Sequence, residues 1–299
     1  MASSDNLAPA RPRALAYIAL TKPRVIELLL VTTVPTMFFA ADGFPSLSTL
    51  VATLLGGALA AGGANALNCW FDADIDALMT RTSNRPTVTG EISRRAALNF
   101  GLTLSVLSLA VLWTFTNALA TALALGAIAF YVLIYTLLLK RRTPQNIVWG
   151  GAAGCFPVLI GWSAVTGEIG LAPIIMFLIV FLWTPPHYWP LSMKYEADYE
   201  AAGVPMLPVV TTPDVVGRQI VIYAWGMVLC SLALIPAGGA GWLYGVVATC
   251  AGAVFIYEAH RLSGQARSGA TPQPMRLFHY SITYLSLLFL AIGADPFVR

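Results

Sequence analysis

Nine apolar stretches of roughly twenty residues run through this chain, at 22–41, 47–69, 95–114, 118–139, 147–166, 171–191, 217–237, 241–259 and 277–295. Each is long enough to cross about 30 Å of hydrocarbon at about 1.5 Å per residue. Water is absent there, so each stretch must satisfy its own backbone as a helix. The pattern fixes the fold class as all-α, a polytopic membrane protein with nine transmembrane helices. Composition agrees: 58% of the 299 residues are hydrophobic and only 10% are charged, and mean hydropathy is +0.73.

Basic residues set the orientation, because Lys and Arg gather on the cytoplasmic side. Arg11, Arg13, Lys22 and Arg24 stand at the head of span one, and Arg81, Arg85, Arg94 and Arg95 lie between spans two and three. Lys140, Arg141 and Arg142 fall between four and five, Lys194 and Arg218 between six and seven, and Arg261, Arg267 and Arg276 between eight and nine. All share one side, whereas the opposite connections carry Asp42, Glu168, Asp295 and Arg299. This predicts a multi-pass protein of the cell inner (plasma) membrane, with the N-terminus cytoplasmic and the C-terminus periplasmic or extracellular. Residues 1–21 are expected to be a disordered cytoplasmic tail and residues 22–299 a single domain. A leader cleaved near Ala41 is disfavoured, because its apolar core is too long and its loss breaks the alternation. The net charge of +3 is a topology signal, and no basic patch suits nucleic acid. Cys69, Cys155, Cys230 and Cys250 are single and far apart, which points to packing and not to a metal or disulfide framework.

The scarce charge is concentrated in "NALNCWFDADIDALMTRTSNRP", residues 65–86. Asn68, Asp72 and Asp76 are four apart, so on a continuous helix they form one stripe that drifts only about 80° while climbing about 12 Å. Asp74 should face elsewhere. Two carboxylates and an amide suit a hard cation that takes its other ligands from water and phosphate, and Mg²⁺ is the natural candidate. The bland alternative is a solvated, acidic helix end. Basic groups on the same face of the membrane favour the first reading: Arg81 and Arg85, then Tyr135, Lys140, Arg141, Arg142 and Asn146, then Lys194 with Asp198 four residues on. Acidic groups for a metal beside basic groups for an anion describe a diphosphate site. Arg94 and Arg95 read as topology markers.

"FLWTPPHYWPLSMKY", residues 181–195, is unusual within a span. Pro185 and Pro186 remove two backbone donors and are expected to break or kink the helix. Trp183, His187, Tyr188 and Trp189 surround that point, which reads either as an aromatic pocket offering His187 to a planar or metal-bearing ligand, or as an interfacial aromatic belt. Glu27, His279 and Tyr280 are weaker candidates, and His260 reads as a loop residue.

Asn68-x-x-x-Asp72-x-x-x-Asp76 with its Arg-rich loop, in a nine-span chain, resembles the UbiA superfamily of intramembrane prenyltransferases. "LTKPRVIELLLVTT", "YTLLLKRRTPQNIVWGGAAGCFPVLIGW", "FLWTPPHYWPL", "DYEAAGVPMLPVV" and "YSITYLSLLFLAIGADP" follow in order from Leu20 to Pro296 and narrow the resemblance to the branch that farnesylates heme. The resemblance implies helices around a central cavity, heme B and farnesyl diphosphate as substrates, and heme O and diphosphate as products. A partner in heme A synthesis or oxidase assembly is then expected to receive the product. The Asp motif lands on Asn68, Asp72 and Asp76 as metal ligands, with Asp198 from the second loop. Where many members carry a second D-x-x-x-D, this chain has Lys194, which is expected to contact the diphosphate directly. Arg81, Arg85 and Lys140 complete the expected clamp. His187 is expected to hold heme, by iron ligation or by a propionate contact, and Tyr135 to line the ligand site. Another aromatic acceptor, a quinone or chlorophyll precursor, is the alternative; a transporter fits poorly, since the charges gather at one face and not at the midplane.

Overall fold

The computed structural model describes residues 12–298. Among them are nine helices long and apolar enough to cross a membrane. In chain order they are α2 (Pro23–Ala40), α3 (Leu47–Phe71), α6 (Arg94–Phe115), α7 (Ala118–Ala129) continued by a π-helix (Phe130–Leu139), α8 (Asn146–Gly150) joined to α9 (Phe156–Thr166), α10 (Leu171–Lys194), α13 (Pro213–Gly238), α14 (Trp242–Arg267) and α15 (Pro274–Ala294). Short helices cap one face: α1 (Arg13–Thr21), α4 (Ala73–Asp76), α5 (Pro86–Thr89), α11 (Glu196–Ala201) and α12 (Leu207–Val210).

Outer surfaces of the spans carry exposed apolar side chains, including Val106, Trp113, Ile222, Leu229 and Leu290. On a water-soluble domain such a surface would aggregate; here it meets lipid tails. Lipid provides no hydrophobic drive between helices, so their association depends on close van der Waals fit. α3 and α6 show how: Ser108 Oγ donates to the Gly56 carbonyl at 2.6 Å. A Cβ placed on Gly63 would lie 2.9 Å from the Gly101 carbonyl oxygen and 3.0 Å from the Ser105 nitrogen. α3 therefore lies along α6, α7 along α9 and α9 against α2; α2 meets α15, from which α14, α13 and α10 follow in turn, with α10 also touching α15. The two halves enclose a cavity between α2, α3, the π-helix, α8–α9, α10 and α15.

Three local features differ from what the sequence predicts. The tail expected over residues 1–21 lies outside the described residues up to residue 11, but from Arg13 it is helical: α1 buries Ala16 and Leu20 against Ala66, Cys69, Ile92 and Ala97 and exposes Leu15 and Ile18. That two-sidedness suits a helix lying in the membrane interface. α10 passes unbroken through Pro185, Pro186 and Pro190, because all three rings are buried in the packing with its neighbours, which holds the helix despite the lost donors. The break in that half lies instead at Gly151–Cys155, a 3₁₀ turn between α8 and α9. His260 sits within α14 and accepts from the Trp225 indole N–H at 3.1 Å.

Candidate active site

The cavity has a volume of about 670 Å³, in the range of sites that hold a drug-sized or larger ligand. Its walls are apolar and aromatic: Leu28, Leu29, Ile128, Val180, Trp183 and Phe278 contribute, with the tyrosines 131, 135, 188 and 199. Its charged and amide groups are Lys22, Arg24, Asn65, Asn68, Asp76, Arg81, Arg85 and Lys140, which come from the ends of α2 and α3 and from the connections on one face. The cavity is therefore greasy in the bundle and charged at one end.

The acidic stripe survives the end of α3. Asp72 caps the helix, but its N–H still donates to the Asn68 carbonyl at 2.9 Å, and that of Asp76 to the Asp72 carbonyl at 2.8 Å, so α4 continues the same face. Asp72 and Asp76 are 0% and 1% exposed. Buried carboxylates need partners, and both have them. Lys140 donates to Asp72 Oδ2 at 2.5 Å and Asn68 Nδ2 to the same oxygen at 2.7 Å; Arg85 pairs with Asp76. Asp74 faces away, as its spacing predicts, and binds Arg141 through both oxygens at 2.7 Å. That bond holds the Asp74 carboxyl down to about 2. Arg141 also reaches Asp72 at 3.4 Å, so it belongs to the site's charge network and is more than a topology marker.

The following loop is pinned by apolar anchors, Ile75 and Met79, and by Thr82 Oγ1, which donates to the Asp76 carbonyl at 2.9 Å. Pro86 then opens α5, and this geometry returns Arg81 and Arg85 to the cavity. Arg81 donates to the Tyr199 hydroxyl at 3.1 Å, and its guanidinium lies over the rings of Tyr195 and Tyr199. Among the described residues it forms no salt bridge with a carboxylate side chain. Tyr199 and Tyr188 share a hydrogen bond of 2.9 Å, and burial pushes the Tyr199 phenol well above its ordinary range, so it stays protonated.

Three expected groups do not line the cavity: Asp72, fully buried behind Asn68 and Asp76, and then Lys194 and Asp198. Lys194 is exposed at the end of α10, with its ammonium 5.5 Å from the centre of the Tyr195 ring. Asp198 does not line the cavity either; its carboxylate accepts the Arg81 backbone N–H at 3.1 Å, and that hydrogen bond lowers its pKa. The second loop thus ties down the first. Tyr135 does line the cavity, against Tyr131 at a ring separation of 5.4 Å. It fits because α8 has Gly150 opposite, where a Cβ would come 2.2 Å from the ring. Glu27, His279 and Tyr280 are outside the lining; the Tyr280 hydroxyl donates to the Ala251 carbonyl.

Lys22 is a site residue that the spacing arguments missed. It holds a left-handed conformation, φ +53°, at the junction of α1 and α2, a strained geometry for a non-glycine residue. The kink sends its ammonium to Asn68 Oδ1 at 2.8 Å. Burial lowers its pKa to about 8. Asn65 is a second such residue, donating to the Thr21 carbonyl at 2.9 Å and holding the same junction.

His187 lines the cavity. Its ring is stacked between Trp183, at 4.1 Å and 14°, and Phe278, at 4.8 Å and 23°.

Among the described residues no three His, Cys, Asp or Glu side chains converge on one point. The oxygen donors at the charged end are Asp76, Asn68 and, behind them, Asp72. Such a sparse hard-donor set fits an ion that keeps water and shares phosphate oxygens, which is how Mg²⁺ is bound. Lys22, Arg81, Arg85, Lys140 and Arg141 outnumber these carboxylates, leaving net positive charge for an anion.

An apolar cavity inside a nine-helix bundle, closed at one end by carboxylates and cations, defines an intramembrane transferase of diphosphate-activated lipids. The chain belongs to the UbiA prenyltransferase family, whose model matches residues 29–282. Among its relatives, the protein of Leifsonia xyli subsp. xyli named protoheme IX farnesyltransferase is 61% identical, covering 94% of this chain and 92% of its own length. The protein of the same name from Streptomyces avermitilis is 58% identical, covering 99% and 98%. The fold is shared with a digeranylgeranylglyceryl phosphate synthase (TM-score 0.77, 17% identity, 95% and 98% covered). It is shared too with a UbiA homologue from Archaeoglobus fulgidus bound to GPP and Mg²⁺ (TM-score 0.64, 20% identity, 93% and 99% covered).

Proposed function

We propose that this chain transfers the farnesyl group of farnesyl diphosphate to a vinyl group of heme B, with addition of water, giving heme O and diphosphate. The observation that carries the reading is the division of one cavity into a charged end and an aromatic body containing His187. Full-length relatives bearing the protoheme IX farnesyltransferase name support the choice of acceptor.

At the charged end Asp72, Asp76 and Asn68 would hold Mg²⁺, which would supply Lewis-acid neutralisation of the leaving diphosphate. Arg81, Arg85, Lys140 and Lys22 bind the same phosphates and stabilise the charge that develops as the allylic C–O bond breaks. The aromatic walls exclude bulk water and offer their faces to the farnesyl cation. The terminal vinyl carbon attacks C1 of that cation, water adds at the adjoining carbon and loses a proton, and the substituent becomes hydroxyethylfarnesyl. No protein nucleophile is needed. His187 holds heme. Lys194 and Asp198 serve from outside the cavity, Asp198 by positioning Arg81.

We place the protein in the cell inner membrane with the charged end cytoplasmic, on the distribution of basic residues, and expect a downstream heme-modifying or oxidase assembly protein to take the product. The test is purified protein in detergent with Mg²⁺, heme B and farnesyl diphosphate, followed by mass spectrometry. The expected product is heme increased by one farnesyl group plus hydroxyl, lost with EDTA. Prenylation of a quinone-type aromatic acid in place of heme would overturn the acceptor assignment and leave the diphosphate end standing.

A further inference from the structure

His187 can hold heme in two ways, and a hydrogen bond behind the ring separates them. Nδ1 lies 2.7 Å from Ser281 Oγ. That hydroxyl donates its single proton to the Phe278 carbonyl at 2.6 Å, one turn back in α15. With the hydroxyl proton on that carbonyl, the serine oxygen accepts from Nδ1, and the imidazole proton is assigned to Nδ1. A neutral imidazole has only one N–H, so Nε2 carries a lone pair. Among the described residues Nε2 makes no hydrogen bond, and the residue lines the cavity.

The ring's orientation is fixed as firmly as its tautomer. Trp183 and Phe278 grip its two faces. Trp183 is itself tied to the same turn of α15, its indole N–H donating to the Ser281 carbonyl at 2.8 Å. Ser281 is wholly buried.

We propose that Ser281 sets the tautomer of His187 so that Nε2 presents a lone pair to the cavity and takes the heme iron as an axial ligand. The inference rests on heme as the acceptor. A propionate is itself an acceptor and needs an N–H, which this arrangement withholds; iron needs the lone pair that it supplies. Metal-binding histidines commonly donate their other N–H to a fixed oxygen, which orients the ring and raises its basicity, and Ser281 fills that role. Ser281 is a positioning residue: it touches His187 and never the substrate.

The test is optical titration of the full-length protein in detergent with ferric heme B, without prenyl diphosphate. Wild type should bind heme saturably with the Soret band of an imidazole-ligated iron. His187→Ala should lose that band, and added imidazole should restore it, while binding of Mg²⁺ and a farnesyl thiodiphosphate stays unchanged as a check on folding. Ser281→Ala should weaken heme binding by about 10–100-fold, the usual effect of removing such a partner, and Ser281→Thr, which keeps the hydroxyl, should recover most of it. An unaltered band in His187→Ala would overturn the ligation, and wild-type affinity and spectrum in Ser281→Ala would overturn the role of the serine. Absence of saturable heme binding by wild-type protein that still prenylates another aromatic compound would overturn the acceptor reading itself.

Discussion

Arg81 forms no salt bridge with a carboxylate among the described residues, and aromatic rings and a phenol hold its guanidinium in place. An anion is its natural complement, and Asp198 sets where the residue stands through its backbone N–H. Asp198→Ala should therefore raise KM for farnesyl diphosphate about tenfold and leave kcat largely intact, a loss typical of one charge-assisted hydrogen bond. Abolished turnover would mean instead that Asp198 reaches the metal. Asp76→Asn should lower kcat by about 10²–10³, as expected when a group stabilising a transition-state charge is removed, with the size-exclusion profile unchanged; activity near that of wild type would remove Asp76 from the diphosphate site. Lys22 gives a pH signature. Its ammonium is charged below about pH 8 and neutral above, so its help in binding diphosphate is complete on the acid side and lost as pH rises through that value. Because kcat/KM reports groups of the free enzyme, this ratio for farnesyl diphosphate should fall above about pH 8. Lys22→Arg, which remains charged, should flatten the fall, and identical profiles would show that another group titrates.

At the scale of the helix, α3 joins membrane packing to chemistry. Gly63 lets α3 close on α6, and Asn68 follows just over a turn later. Gly63→Val should destabilise the protein by about 1–3 kcal/mol through overpacking and weaken prenyl diphosphate binding with it. A thermal aggregation midpoint equal to that of wild type would show that α3 and α6 are not held by this contact. The nine spans are legible in the sequence because twenty apolar residues in lipid have one solution, and the Asn68–Asp72–Asp76 stripe is legible because four-residue spacing survives the end of α3. Other features depend on partners distant in sequence. Tyr135 enters the cavity from a π-helix that Gly150 accommodates, and no local pattern signals that pairing. Lys22 and Asn65 depend on how α1 meets α3. Lys194 and Asp198 have a suggestive spacing, but α10 ends at Lys194 with its side chain exposed, and Asp198 is turned to the Arg81 backbone N–H. Pro185 and Pro186 signal a break or a kink, and α10 runs through them without a break because their rings are buried.

As a whole the molecule is an apolar bundle with charge gathered at one end of one cavity, and the proposed reaction requires the two parts to be filled together. The measurement that tests this most directly is ternary binding: heme B titrated into wild-type protein already saturated with Mg²⁺ and a farnesyl thiodiphosphate, with both ligands quantified after separation from free ligand. The two-part cavity predicts that one equivalent of each is retained together, with Arg81→Ala weakening only the thiodiphosphate and His187→Ala only the heme. Displacement of one ligand by the other, or parallel loss of both in each variant, would contradict it.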